Sequence, residues 1–522
     1  MKTLLKNGLV YDGSVSLPQK KDILIENKKI IKIADKIDVE ADKVIDCKGL
    51  NVAPGFIDAH SHNDFFVGRE DSVNFFESFI NQGITTQIVG NCGFSVAGVD
   101  ENTKYHGLIG GGLFKTKKAG SLKDWVKENK NNLEVNIIPL IGHGSARISV
   151  SGYKNSPLTN DEEKEMLSLL ERDLKDGAWG GSFGLMYEPG MYAKVNELKK
   201  FAEVIKKYDG ILTVHPRACS DVSNGFPLLK RHHLELGLDE VIDVIKSTNV
   251  RCEYSHLIFT GEKSWARLPF MLKKFKDLKD EGYEIGYDMY SYTYGASVIT
   301  VILPPDFMAT PKEKRMHGFK YLKTRLLINI TKKLLGIDFT DLTVAYIGKG
   351  YEKYEGRKIS DIAKDEGISP MKMYFKLVEL SDGKGNLYLD KYYNKDMILK
   401  LMEDDMSVFM TDAWHEEKGL QNASAYTCYP NFFKLALGAG IPYQNIINKM
   451  TGKIADRFKL ENRGYIKEGF YADITIFSEF DFKNPVDKPT GLEYLFINGE
   501  IAYENNSYNK KKLGEFILKN EH

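Results

Sequence analysis

Two histidines, His60 and His62, stand two residues apart at the end of an apolar, strand-like run in GFIDAHSHND. Alternate side chains of an extended strand share a face, so both imidazoles can reach one metal ion. Two imidazoles are half of a zinc-type ligand set, and the missing ligands should lie at the ends of other strands. Four more metal-competent side chains close short apolar runs in the same way: Cys92 in TTQIVGNCGFS, His215 in GILTVHPRA, His256 in RCEYSHL and Asp412 in SVFMTDAW. Alone, His-x-His is as readily a pair of polar turn residues. The repetition of the pattern makes it a metal site.

Such a site implies hydrolysis. A metal with three protein ligands and an open position polarises a carbonyl and lowers the pKa of bound water toward ~7, so that hydroxide can attack an amide. The leaving nitrogen must then be protonated, which requires a nearby carboxylate that takes the water's proton and returns it. Asp412 is the candidate. The bland alternatives are a cap aspartate for Asp412, a small buried hydrophobe for Cys92, and satisfied core histidines for His215 and His256.

Eight strands must position these residues. Besides the five runs above, VNIIPLIGHG around Ile138, GSFGLMYEPG around Leu185 and YEIGYDMYSY around Tyr287 have the same character. Amphipathic, charged segments such as 160–176 and 197–208 separate most of them. The pattern predicts an α/β fold, a (β/α)8 TIM barrel with its chemistry at the carboxyl ends of the strands, over residues 54–463. Before it, TLLKNGLVYDG, KKDILIENKKIIKIA and KVIDCKGLNVAPG alternate apolar and polar residues, and GYIKEGFYADITIFSEFDF and GLEYLFINGEIAYENN do so after it. Neither group has enough strands to bury a face alone. Residues 1–53 and 464–508 are therefore expected to form one small β-sandwich domain, with 509–522, including Lys510 to Lys512, as a solvated tail. A long insertion at about 300–406 contains KRMHGFKYLKTRLLINITKKLL, DLTVAYI, SPMKMYFKLVELS and NKDMILKLMEDD, and is expected to sit over the barrel mouth as a lid.

Composition narrows the partner. In 522 residues, Lys plus Arg and Asp plus Glu balance at 72 each, which gives no bulk charge to recruit nucleic acid or an anionic membrane. A small-molecule substrate is expected, and a homo-oligomer is compatible with it. Five scattered cysteines do not make a disulfide framework, the amino-terminal apolar run is too short for a signal peptide, and no run approaches the ~20 apolar residues of a membrane span. A cytoplasmic protein is expected.

The same residues resemble the amidohydrolase superfamily and, within it, the N-acyl-D-amino-acid deacylase (D-aminoacylase) branch. The likeness covers nearly the whole chain: PGFIDAHSHND, GNCGFS, GHGSAR, FGLMYEPGMYA, HPR, SH, DMYSYT and RGYIKEGFYADI, with YEGRKISDIAKDEGISPMKMYFKLV in the insertion. Many members of the superfamily carry a carboxylated lysine on the fourth strand, and GSFGLMYEPG has no lysine. The branch uses a second-strand cysteine instead. The resemblance implies that Cys92, His215 and His256 hold Zn2+ tightly, with His60 and His62 on a weaker neighbouring site that Cys92 bridges. Thiolate and imidazole suit zinc. It also implies an N-acyl-D-amino acid or related N-acyl substrate, with a hydantoinase- or dihydroorotase-like ring-opening hydrolase as the alternative and a non-catalytic scaffold as a more distant one. Arg217 is a candidate clamp for a substrate carboxylate, Tyr187 and Tyr290 are candidate pocket donors, and His143 either donates to an oxyanion or holds a loop. His232 and His233 read as a solvated helix face, and His106 with Gly110 to Gly112 as a loop. Two positions depart from the branch. Ile258 replaces a lysine after the sixth-strand histidine and Asn431 an arginine after the eighth strand, and both changes remove positive charge and favour a less acidic substrate.

Overall fold

Eight short parallel strands carry the eight runs, five of which lead into the candidate ligands: β1 Phe56–Asp58, β2 Ile84–Val89, β3 Asn136–Pro139, β4 Gly180–Gly184, β5 Ile211–His215, β6 Arg251–Tyr254, β7 Ile285–Met289 and β8 Ser407–Phe409. They are those of a computed structural model that describes residues 1–519 apart from 111–113, 115–118, 224, 227–230, 305–306, 309–314 and 316. Gly111 and Gly112 of the expected glycine loop therefore lie outside the described residues. Strands buried on both faces need no polar alternation, and every residue of β2, β4 and β7 is buried. Helices wrap them. Helix Asn160–Lys175 starts in a capping box of Thr159 and Glu162, and helix Val195–Lys207 turns Leu198, Phe201, Ala202 and Ile205 inward.

Two irregularities mark the ring. The third strand changes neighbours partway: Asn136–Pro139 pairs with β2, whereas its continuation Ile141–Gly142 pairs with β4. Between β8 and β1 no ladder forms among the described residues. Side chains close this seam instead. The Asp58 carboxylate accepts from the Thr411 backbone N–H at 2.9 Å and the Thr411 hydroxyl at 2.6 Å, and the Asp412 N–H donates to the His60 carbonyl at 3.1 Å. The Tyr429 hydroxyl lies 2.6 Å from the Ile57 carbonyl and 3.1 Å from that of Phe409, so it spans both strands.

Strands from both termini form one nine-stranded sheet among the described residues. Its joint is Asn51–Pro54, which pairs in parallel with Lys2–Val10 and antiparallel with Ile474–Asp481. The Lys29–Ala34 end of the sheet folds back against the run leading into Ile474–Asp481, because the Ala472 N–H donates to the Lys28 carbonyl, and the Gly499 N–H donates to that of Ala472. A Cβ on Gly499 would come 1.8 Å from the Asn27 carbonyl oxygen, and its φ of +79° also favours glycine. Leu5, Ile23, Ile45, Val52, Ile474 and Phe496 fill the space so enclosed. Of the expected solvated tail, Lys510 and Lys511 are exposed, but the described segment after them is packed down. Phe516, Ile517 and Leu518 are buried, the Ile137 and Ile517 N–H groups exchange bonds with Glu515 and Ile137 carbonyls, and Lys512 reaches Ser72 at 2.7 Å and also Glu134. Three apolar side chains after the lysines drive this segment against the third strand.

Within the insertion, Gly295–Val298, Asn386–Leu389 and Leu342–Tyr346 form a three-stranded antiparallel sheet. Helices Ile359–Asp365 and Pro370–Leu380 lie beside it, and helix Gly318–Leu335 lies against the loop after β6, where a Cβ on Gly261 would come 2.3 Å from the Leu335 carbonyl oxygen. Residues 314 and 316 of the sequence-predicted helix lie outside the described ones.

Beneath β8, Lys449 donates to Ser407 Oγ at 2.6 Å and to the Asp404 carbonyl. Burial, helped by the neighbouring Lys453, lowers its ammonium to about 7. An unfolded lysine titrates near ~10.4, so across that window the unfolded chain holds a proton the folded one has lost, and stability rises with pH. Urea unfolding between pH ~7 and ~9 should show the native protein gaining on Lys449→Met as pH rises. A constant difference would mean that Lys449 stays charged.

Candidate metal centre

Cys92, His256 and Asp412 follow the carboxyl ends of β2, β6 and β8 with φ of +51°, +33° and +47°. Left-handed backbone in non-glycine residues costs of order 1–3 kcal/mol each and clusters at functional sites. These turns aim three side chains at one point. Glycines allow it: Gly93 has φ +76° and lies so close to β4 that a Cβ would come 2.7 Å from the Gly184 nitrogen, while a Cβ on Gly184 would come 2.1 Å from the Cys92 carbonyl oxygen.

Cys92 Sγ lies 3.2 Å from His60 Nε2, 3.6 Å from His215 Nδ1 and 3.4 Å from His256 Nε2. Asp412 Oδ1 lies 3.4 Å from His62 Nε2 and 3.6 Å from His60 Nε2. These atoms form two overlapping groups, Cys92 with His215 and His256, and Cys92 with His60, His62 and Asp412. Zinc–sulfur and zinc–nitrogen bonds of ~2.3 and ~2.05 Å at a tetrahedral angle keep such atoms about 3.5 Å apart. The donor set and its spacing therefore fit zinc.

The protonation states fit as well. Burial holds His60, His62, His215 and His256 below the usual histidine range, hence neutral and able to ligate. Burial would raise the Asp412 carboxyl, but its hydrogen bond with His62 opposes this and favours the ionised form, below the usual carboxylate range. Burial, reinforced by Asp412, pushes the Cys92 thiol up, so a cation must displace its proton. Among the described residues, His215 Nε2, His62 Nδ1 and His256 Nδ1 have no hydrogen-bond partner.

Two acids that the sequence reading did not single out organise the ligands. Asp288, on β7, lies 3.4 Å from His60 Nδ1 and accepts the His256 backbone N–H; burial raises it to about 7. Asp58 ties the His60 turn to β8. The available signal was an acid inside an otherwise apolar strand, in FID and GYDMY. Phe114 stacks on the His62 ring at 5.4 Å and Trp414 meets it edge-on at 5.7 Å, which shields that flank.

Other expected site residues lie elsewhere. Arg217 is bound to Glu240 at 2.9 and 3.0 Å and to the carbonyls of Met191 at 2.6 Å and Ala193 at 3.1 Å, so its guanidinium is committed to joining loops rather than to a substrate acid. His143 is fully buried between Phe183 and Phe201 and binds Glu197 at 2.9 Å, beside Arg147. It holds a helix and is not an oxyanion donor. His233 is buried and accepts the Ser223 N–H at 2.8 Å, in contrast to the solvated face expected, while His232 is exposed beside Asp221. Tyr187 is at the centre: its hydroxyl donates to the Cys92 carbonyl at 2.8 Å and its ring lies 4.9 Å from His215. Tyr290 is buried, and its hydroxyl has no hydrogen-bond partner among the described residues. Ile258 is buried, and Asn431 donates to the Ser291 carbonyl at 3.0 Å and hydroxyl at 3.1 Å.

The chain is thus a barrel with histidine, cysteine and aspartate at its strand ends, joined to a sheet from both termini. The chain is 23% identical over 528 residues to the D-aminoacylase of Alcaligenes xylosoxydans xylosoxydans, covering 99% of this chain and 97% of that protein. It is 22% identical over 524 residues to the N-acyl-D-aspartate deacylase of the same organism, covering 98% and 94%. Among solved structures, an N-acyl-D-glutamate deacylase from Bordetella bronchiseptica, complexed with zinc and a phosphonate inhibitor, superposes with a TM-score of 0.79 at 20% identity over 99% of both chains. No family model matches. These deacylases are similar to the chain from end to end.

Asp288→Asn should weaken zinc binding roughly 10- to 100-fold while the fold persists, because the partner that orients a ligand histidine is lost. Competition with a chromogenic chelator measures it, and unchanged affinity would remove Asp288 from the centre.

Proposed function

We propose that the protein is a zinc-dependent hydrolase that cleaves a linear amide, an N-acyl-D-amino acid or a related N-acyl compound, to a carboxylate and an amine. The observation that carries the reading is the convergence of Cys92, His60, His62, His215, His256 and Asp412 on one buried point. Cys92, His215 and His256 are the proposed holders of the tighter ion, with His60, His62 and Asp412 beside a second, weaker position that shares Cys92. Zinc there would supply a Lewis acid for the scissile carbonyl and a water activated near neutral pH.

The chain's own residues supply the rest. Asp412 is ionised and its side chain is 25% exposed, so it can accept a proton from water at Oδ1 and deliver it to the leaving nitrogen without leaving its place. The Asp58 contacts and the Asp412 N–H bond to His60 fix its backbone. Tyr290 offers the substrate a neutral hydroxyl, and Tyr187 holds the Cys92 loop. With Arg217 committed to Glu240, Ile258 apolar and Asn431 tied to Ser291, none of the three cationic contacts considered for a substrate acid is available. The proposed substrate therefore presents a weakly acidic or apolar group at this end.

Asp412→Asn should lose at least ~100-fold in turnover, the lower scale of general acid–base catalysis, and keep most of its metal. Near-native turnover would move proton transfer elsewhere. Removal of metal with a chelator should abolish hydrolysis of N-acyl-D-amino acids and zinc should restore it; turnover of hydantoins in preference to these substrates would overturn the linear-amide reading. In the native enzyme, an N-acyl-D-amino acid and its methyl ester should differ less than the roughly tenfold to hundredfold expected of a charge-assisted contact. A strong preference for the free acid would show that a cation binds it after all.

A further inference from the structure

Helix Gly318–Leu335 in the insertion is amphipathic in the wrong sense for a core helix. Phe319, Leu322, Leu326, Ile330 and Leu334 are 83%, 60%, 60%, 44% and 43% exposed, whereas Thr324, Ile328 and Leu335 are buried. Intervals of three, four, four and four residues align the exposed five into one stripe, about 22 Å long at ~1.5 Å per residue. Isolated exposed apolar side chains need no explanation, but a continuous stripe does.

The charge of the helix chooses the partner. Its sequence, GFKYLKTRLLINITKKLL, has five cationic residues and no acidic one, although the whole chain is balanced at 72 of each sign. Lys332 pairs with Asp338 at 2.6 Å, and Arg325 lies over the Tyr321 ring. Lys323 and Lys333 are exposed on the same side as the apolar stripe and make no ion pair among the described residues. A second copy of this helix would bring cations against cations. An anionic lipid surface accepts both features: the apolar side chains enter the acyl boundary, and the lysines reach the headgroups on their flexible stems. Among the described residues no helix is long and apolar enough to cross a membrane, so the fit is to lying on one. The carboxyl-terminal end of the helix rests on the loop after β6, on the barrel face that bears His256.

We propose that this face docks the protein on an anionic bilayer, with the helix lying in the interfacial plane. The test is sedimentation of the full-length, zinc-loaded protein with vesicles of phosphatidylcholine and of phosphatidylcholine containing phosphatidylglycerol. Binding to the anionic vesicles should be at least ~10-fold stronger and should fall with salt. Leu326→Glu with Ile330→Glu should abolish binding, and Lys323→Glu with Lys333→Glu should remove the preference for anionic lipid; all four positions lie outside the metal centre, so hydrolysis of a soluble substrate and thermal unfolding should match the native protein. Failure of the native protein to bind anionic vesicles, or equal binding by the Leu326→Glu, Ile330→Glu protein, overturns the proposal. A concentration-dependent dimer that the same pair of substitutions disrupts would overturn it too, by showing that a second copy covers the stripe.

Discussion

Everything in this molecule is organised around the cost of gathering six side chains that could hold a metal, almost all buried, at one point. Four neutral imidazoles, one thiol and one carboxylate lie within hydrogen-bonding or near-contact distance, with their acceptor atoms directed at one another. Such an arrangement is unfavourable for the chain alone, since buried polar atoms without partners cost about 1–3 kcal/mol each. A cation resolves the conflict by giving the lone pairs a common partner. The rest of the fold makes the conflict geometrically possible: only a closed ring of strands brings residues from position 60 to position 412 to a single centre, and only left-handed turns at Cys92, His256 and Asp412 direct them there.

Buried acids do the less visible part of that work. Asp58 and Asp288 touch the ligand layer from below, one through Thr411 and the His60 turn, the other through the His60 ring and the His256 backbone. Burial raises both to about 7, so each keeps its place through several bonds rather than through solvation. Ligand geometry therefore depends on residues that touch no substrate.

Much of this was legible in the sequence because the relevant physics is local. His60 and His62 do converge, although they lie beyond the strand Phe56–Asp58 and not in it, β-branched and aliphatic runs mark eight strands, and a candidate ligand at the end of a run places itself at the carboxyl rim. What the sequence hid was partnership. Arg217 read as a substrate clamp because its strand-end position is correct, but Glu240 lies 23 residues on, across a loop and a helix turn, and captures it. His143 reads as polar and available until Glu197, Phe183 and Phe201 enclose it. The last apolar residues, Phe516 to Leu518, look like a tail because three lysines precede them, and only the backbone pairing with Ile137 explains their burial. Pairings set by tertiary packing leave no periodic signal.

The seam between the first and last barrel strands has a further consequence. Every other junction in the ring is held by a ladder of backbone bonds, while this one is held by Asp58, Tyr429 and the Asp412–His60 bond, so it is where the ring should breathe first. The groups that flank it, His60 on one side and Asp412 on the other, belong to the same ion-binding cluster. An ion held by both would rivet the joint, so that opening the ring would release it: resistance to unfolding should then track metal occupancy more closely than the modest number of ligand bonds would lead one to expect.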